Sequence, residues 1–384
     1  MKNTSRRDFL LLASAATLAT TAASRLAAAA AAPDTHAFGA RRVFIGSGTE
    51  QGILSYDWNG ATGELTAVGV AAKLPNATWI TLSKGHMFLY AATEADSFNG
   101  KPTGEVSSFR VEKGGLIALS AQNSAGPGTC HAALDHTGRV LLAADYGGGS
   151  AGSFLVTDGK LSPAAWTEHY SGKGPSERQL SAHAHFASFS PDNRFAYVND
   201  LGSDCIHIYS LNADTAKLTP AGTYRAQAGA GPRTLHFHPN GHTAYSVNEL
   251  VSIVDVLEWN RMDGSLTLVT RIPLLPEGYK GATRACDTVI TRDGRFVYFA
   301  NRDNDFLSSF GADVKTGALT LIGRSNCGGK IPRNFTLDPS ERWMLVANQD
   351  SSVVSVFARN PQTGVLAEEG KSFAAATPMC IVFV

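Results

Sequence analysis

The chain has 384 residues, 43% of them hydrophobic and 17% charged, with 38 Gly and 16 Pro; that suffices for one large globular unit or two ordinary ones. Lys and Arg number 33 against 33 Asp and Glu, and so even a balance argues against a nucleic-acid partner. The five Cys are widely spaced and contain no CxxC pair, which argues against a disulfide framework or a cysteine zinc site.

The N-terminus reads as a targeting segment. Ser5-Arg6-Arg7-Asp8-Phe9-Leu10 precedes a weakly apolar run, Leu11 to Ala32, that ends in Ala29-Ala30-Ala31-Ala32. A twin-arginine pair ahead of such a run predicts export of an already folded protein, with cleavage at the small residues. The expected organisation is a signal over residues 1–32, a short linker over 33–40 and one domain over 41–384. Removing Lys2, Arg6, Arg7, Arg25 and Asp8 leaves 29 basic against 32 acidic residues. No other stretch is long and apolar enough to span a bilayer, so the mature protein is expected in the periplasm or outside the cell, as a monomer.

From Ala77 onward one hairpin recurs. Its clearest copy is Gly231 to Leu250: Leu235 and Phe237 alternate with polar residues, His238-Pro239-Asn240-Gly241 makes a turn, and Ala244-Tyr245-Ser246-Val247 runs back. Arg233 lies eight residues before Gly241 and Glu249 eight after it. Residues equidistant from the turn face each other in an antiparallel pair, so a cation and a carboxylate are expected side by side at the open end. Aligned on the turn, the residues eight before it are Ala77, Cys130, His185, Arg233, Cys286 and Arg333, and the steps from Ala77 through to Met379 are 53, 55, 48, 53, 47 and 46 residues. A period of about 50 residues built from short strands and turns is the mark of a propeller.

Each repeat continues with an apolar second strand and a polar corner, as in Asp145-Tyr146, Asp200-Leu201, Asn248-Glu249, Asn301-Arg302 and Asn348-Gln349. Third and fourth strands follow. Arg42 to Ser47 matches a second strand and Pro378 to Phe383 a first strand, so the C-terminal strand should complete the blade that the N-terminus starts and remove the free edge. The expected fold is all-β: a seven-bladed β-propeller of four-stranded antiparallel blades.

These hairpins resemble the lactonase family of seven-bladed propellers, whose name-giving member is the bacterial 6-phosphogluconolactonase. The motifs are His183-Ala184-His185 with Asp200-Leu201-Gly202, Gly231-Pro232-Arg233 with Asn248-Glu249-Leu250, Thr291 to Phe296 with Asn301-Arg302, and Ile331-Pro332-Arg333 with Ala347-Asn348-Gln349. The resemblance spans residues 40–384 and implies hydrolysis of a small-molecule sugar lactone. The family also includes muconate-lactonising enzymes, in which a His, a Glu and arginines serve the reaction; on matching motifs these fall on His185, Glu249, Arg233 and Arg302.

In a propeller the start of the first strand and the end of the second share one rim. His185, Arg233, Arg333, Asp200, Glu249, Arg302 and Gln349 therefore converge at one mouth, with His183 and His131 near them in sequence. His185 or Glu249 is the candidate base for a water, Arg233 and Arg302 the candidates for oxyanion stabilisation, and Arg333 a candidate for a substrate anion. His183, Asp200, Arg333, Gln349 and His131 are taken as substrate-binding. Against each stands a plainer role: Arg233 and Glu249 as a structural ion pair, His183 and His131 as hydrogen-bonded core residues, and Cys130, Cys286 and Cys380 as small hydrophobes. Corner residues Asp200, Asn248, Asn301 and Asn348 offer oxygen ligands of the kind that suit Ca²⁺, but three arginines at the same mouth oppose a cation, so no metal or other cofactor is expected. The rival functions are a muconate-type cycloisomerase and a non-enzymatic scaffold of the cell envelope.

Overall fold

The repeated hairpin is fixed by its turn. The residue entering each turn accepts hydrogen bonds from the strand that follows: Ser83 from Phe88, Asp135 from Val140, Ser190 from Phe195, Thr291 from Phe296 and Asp338 from Trp343. Three residues on, the backbone turns left-handed, with φ of 59° at His86, 73° at Gly138, 62° at Asn193, 77° at Gly241, 73° at Gly294 and 54° at Glu341. Short polar side chains and glycine suit these two positions.

The computed structural model describes residues 40–384. These form seven four-stranded antiparallel sheets arranged as blades. Blade one combines the C-terminal strand Pro378–Phe383 with Ala40–Ser47, Ile53–Asn59 and Glu64–Ala72. The innermost strands of blades two to seven are Ala77–Leu82, Thr129–Leu134, Ala184–Phe189, Pro232–Phe237, Ala285–Ile290 and Pro332–Leu337. Pairing of Val43 with Phe383 and of Gly46 with Cys380 closes the ring as the repeat arithmetic predicts. Among the described residues no helix is long and apolar enough to cross a membrane. The expected signal over residues 1–32 lies outside the described residues, and of the expected linker over 33–40 only Ala40 is described, as the first residue of a strand.

Neighbouring blades lock through the outer hairpins. The hydroxyls of Tyr197, Tyr245 and Tyr298, all on second strands, donate to the carbonyls of Gly264, Gly317 and Gly364 in the next blade. A Cβ on Gly317 would lie 2.5 Å from Thr243, and φ is 69° there, so close approach and backbone conformation both require glycine. Between the blades the fully buried rings of Trp58, Tyr197, Tyr245 and Phe299 fill the gaps, each contributing about 1.5–3 kcal/mol of apolar burial.

Every innermost strand carries an irregularity close to its start. In blade five Pro232 pairs with Asn248 and Thr234 with Val247, leaving Arg233 unpaired in a bulge. Bulges re-aim a side chain, and here the bulged residues turn to the channel. In blade two the bulged residue is Thr78, not the expected Ala77. Lys84-Gly85 has the look of the turn in sequence, but pairing of Leu82 with Leu89 places the turn one residue later, at His86; Gly85 also has a positive φ and so mimics the turn glycine.

Candidate active site at the channel mouth

The rim is built by one repeated backbone contact. The second corner residue of each blade donates its N–H to the carbonyl two residues before the bulge: Gly48 to Thr377, Glu94 to Asn76, Tyr146 to Gly128, Leu201 to His183, Glu249 to Gly231, Arg302 to Arg284 and Gln349 to Ile331. The side chain at the corner is therefore free to vary while its backbone is held. That is how Glu249 and Arg302, in adjacent blades, come to one place.

Glu249 is fully buried, and three guanidinium groups surround its carboxylate. Arg233 Nη1 donates to Oε2 at 2.5 Å and Arg178 Nη1 to Oε1 at 2.5 Å. The Arg233–Glu249 contact is not the direct ladder pair expected from the hairpin, since Asn248 takes that place opposite Pro232; the long arginine crosses the rim from its bulge. Arg302 Nη2 lies 2.7 Å from Oε1, yet its N–H groups are not aimed at that oxygen. Its Nε and Nη2 are both buried and have no hydrogen-bond acceptor. Three cations around one carboxylate leave a surplus of two positive charges.

Arg233 Nη1 also meets His185 Nε2 at 2.5 Å, and its Nε donates to the Cys286 carbonyl at 3.0 Å. A guanidinium only donates, so His185 accepts through Nε2 and carries its proton on Nδ1, which has no partner among the described residues. Burial and the Arg233 charge push the His185 imidazole well below its usual range. Burial alone would raise the Glu249 carboxyl, but Arg302, Arg233 and Arg178 together hold it well below the usual carboxylate range. Burial drives Arg302 down to about 10, with Glu249 opposing and Arg233 adding to the fall.

The remaining expected residues occupy other places. Arg333 reaches across the channel to Glu94, Nη2 to Oε2 at 3.3 Å, and Thr78 donates to the same oxygen. His183 stacks on Tyr146 with ring centroids 4.4 Å apart, and its Nδ1 is 2.8 Å from the Tyr146 carbonyl. Asp200 is spent on its own corner, accepting from the N–H groups of His183, Gly202 and Ser203. Gln349 is half-buried and its side chain makes no hydrogen bond to the cluster. His131 lies deeper, between Trp79 at 4.3 Å and Phe186 at 3.8 Å, with His236 beyond Phe186. This ring stack separates a cavity of about 20 Å³ under the mouth, lined by His185, Arg233 and Arg333, from a cavity of about 480 Å³ at the opposite end of the channel. Corner amides Asn301 and Asn348 bond to Ser252 and to Cys327, and among the described residues no three His, Cys, Asp or Glu side chains are placed to hold a metal ion.

Three residues of the rim escaped the repeat reading. Glu94 is the blade-two equivalent of Glu249, hidden by the same one-residue slip that hid Thr78. Arg284, ion-paired with Asp303 at 2.6 Å, is the equivalent of His183. Arg178 belongs to no blade position. It sits on a short 3-10 turn, Glu177–Gln179, between blades three and four. The buried Gln179 ties that turn to the Leu201 carbonyl and to Asp204, and Ser176 caps it.

The chain resembles known proteins along nearly all of this ring. It is 33% identical over 301 residues to the 6-phosphogluconolactonase of Bacillus subtilis, covering 78% of this chain and 84% of that one. It is 31% identical to the 6-phosphogluconolactonase of Formosa agariphila, over 79% of this chain and 88% of the relative. Among solved structures, the periplasmic gluconolactonase of Pseudomonas aeruginosa superposes with a TM-score of 0.85 at 29% identity, covering 90% of this chain and 99% of that one. The model of the family described as "Lactonase, 7-bladed beta-propeller" matches residues 42–383. A match that runs from the first described strand to the last, on a ring with this closure, makes the chain a member of the lactonase family of seven-bladed β-propellers.

Proposed function

We propose that the chain hydrolyses a sugar lactone to the aldonic acid, in the manner of a 6-phosphogluconolactonase, with Glu249 as the general base. The observation that carries this is the buried Glu249 carboxylate beside Arg302, a buried guanidinium with two N–H nitrogens lacking an acceptor. Glu249 is favoured over His185 because the lone pair on His185 Nε2 is already engaged by Arg233. A carboxylate offers about four lone-pair sites, so Glu249 can accept from a water as well as from its arginines once one oxygen is uncovered. It takes one proton from that water while the oxygen adds to the lactone carbonyl carbon. The former carbonyl oxygen becomes the oxyanion, and the Nε–Nη2 fork of Arg302 supplies the donors it needs. The ring C–O bond then breaks, and the leaving alkoxide recovers the proton from Glu249. Atoms balance as lactone plus water giving hydroxy acid. The surplus of positive charge at the mouth favours a reaction without a divalent cation.

The same surplus also suits the two carboxylates of a muconate-type acid, so cycloisomerisation is the second reading. The twin-arginine stretch at Arg6-Arg7 supports export, and one solved relative is a periplasmic gluconolactonase; an exported protein meets unphosphorylated as well as phosphorylated lactones. The test is hydrolysis of glucono-lactone and its 6-phosphate by the purified protein, measured above the spontaneous rate. Glu249→Gln is expected to lose roughly 10²–10⁴-fold in turnover, the usual worth of a positioned base. A variant within a few-fold of wild type would remove Glu249 from the mechanism, and a muconate turned over faster than any lactone would favour the second reading.

A further inference from the structure

A base must touch the water that it activates, yet Glu249 has no exposed surface at all. Its neighbours on every side are charged or titratable: Arg233 from the innermost strand of blade five, His185 from that of blade four, Arg302 from the corner of blade six and Arg178 from the loop before blade four. Arg284, paired with Asp303, stands behind them. Arg233 and Arg302 are buried, with side chains only 6% exposed, whereas that of Arg178 is 42% exposed. Of the groups covering the carboxylate, Arg178 alone can leave without opening the core. Its backbone is fixed by the Gln179 bonds and the Ser176 cap, so the part free to move is the side chain. Arg178 Nη2 holds a second contact at the rim, the Tyr146 hydroxyl at 3.0 Å, which keeps the guanidinium over Glu249 when nothing competes for it.

We infer that Arg178 is a latch operated by the substrate: an anionic substituent on the lactone, a phosphate or a carboxylate, draws the guanidinium off Glu249 Oε1 and so uncovers the oxygen that receives the water's proton. This rests on the assignment of Glu249 as base. Arg178 acts here as a positioning residue, and its effect is specific. An anionic lactone both binds Arg178 and exposes the base, while a neutral lactone leaves the latch closed. Once Arg178 swings away, Glu249 keeps two cations instead of three, so it titrates at a higher pH in the substrate complex than in the free enzyme.

The test is the acid limb of the pH profile for wild type, Arg178→Ala and Arg178→Lys, with 6-phosphoglucono-lactone and with glucono-lactone. The limb of kcat/KM reports the free enzyme and that of kcat the complex. For wild type with the phosphorylated lactone, the kcat limb is expected about 1 pH unit above the kcat/KM limb, the size of one close charge. With the neutral lactone the two limbs coincide. In Arg178→Ala they coincide for both lactones and the preference for the anionic one narrows, while Arg178→Lys restores part of the separation. Coincident limbs in wild type with the phosphorylated lactone, or a separation that survives in Arg178→Ala, overturn the latch, and so does a protein that hydrolyses only neutral lactones. None of these touches the base assignment, which stands or falls on Glu249→Gln.

Discussion

Arg233 and Arg302 are equally buried and adjacent, but the structure predicts opposite effects of replacing them with methionine. Arg233 is fully used: it bonds Glu249, His185 and the Cys286 carbonyl, and after the cost of burial its charge is still favoured. Its removal leaves an acceptor buried without a donor on each of three residues, and breaks a buried ion pair. Such a break costs about 3–5 kcal/mol. Arg302 is in the reverse condition. Its fall to about 10, with the attraction to Glu249 already included, corresponds to a net cost on the order of 3 kcal/mol for its charge, and neither its Nε nor its Nη2 makes a hydrogen bond. Methionine keeps most of the apolar volume and removes that net penalty. Arg302→Met is therefore expected between neutral and about 3 kcal/mol more stable than wild type, and inactive on lactones. Arg233→Met is expected to be less stable by about 3–5 kcal/mol. Urea unfolding at neutral pH and low salt, with turnover measured on the same preparations, checks both. If Arg302→Met loses as much stability as Arg233→Met, the argument that Arg302 is retained for chemistry at the expense of stability is wrong.

The Glu249 carboxyl titrates below its unfolded value, so its stabilisation is complete above about pH 4.5 and is lost as pH falls through the depressed folded value; Glu249→Gln should show a shallower loss of urea midpoint on acidification than wild type, and an equal slope would contradict the ion cluster. Gly317→Ala sets a Cβ 2.5 Å from Thr243 at a φ of 69° and should cost more than about 1 kcal/mol, whereas Gly323→Ala, with nothing within 4 Å of its Cβ, should change the unfolding midpoint little. Arg333 and Glu94 pair across the channel away from Glu249, so Arg333→Met is expected to raise KM with little change in kcat; a loss confined to kcat would place Arg333 in the chemical step. Dialysis against EDTA should leave lactonase activity intact, and restoration by Ca²⁺ of an activity lost on dialysis would reveal a metal requirement.

The ring was legible because its determinants are local and repeated. A turn residue that accepts from the next strand, a left-handed position three residues on and a period near 50 residues are all visible in one dimension. The central triple of His185, Arg233 and Glu249 was legible for the same reason, since each occupies a repeat position where other blades carry Cys130, Thr78 or Tyr146. The alignment failed where two glycine-like positions adjoin, at Gly85 and His86, and that one slip concealed both Thr78 and Glu94. Arg178 could not be found by repeat logic at all. It reaches the site from an inter-blade loop, and nothing in Ser176 to Gln179 beyond a capping pattern indicates where that loop folds back. Asp200 shows the converse limit: it aligns with Asn248 and not with Glu249, and its carboxylate is consumed by its own turn.

The ring stack of Trp79, His131, Phe186 and His236 makes the channel a well closed at depth instead of a bore. On the hydrolytic reading, substrate and product then share a single route. Hydrolysis creates a carboxylate, so the product leaves with one more negative charge than the substrate brought, against the field that attracted the substrate. Departure is the step that this electrostatic asymmetry slows. Added salt should therefore depress kcat/KM by screening capture, while raising kcat as the acid is let go.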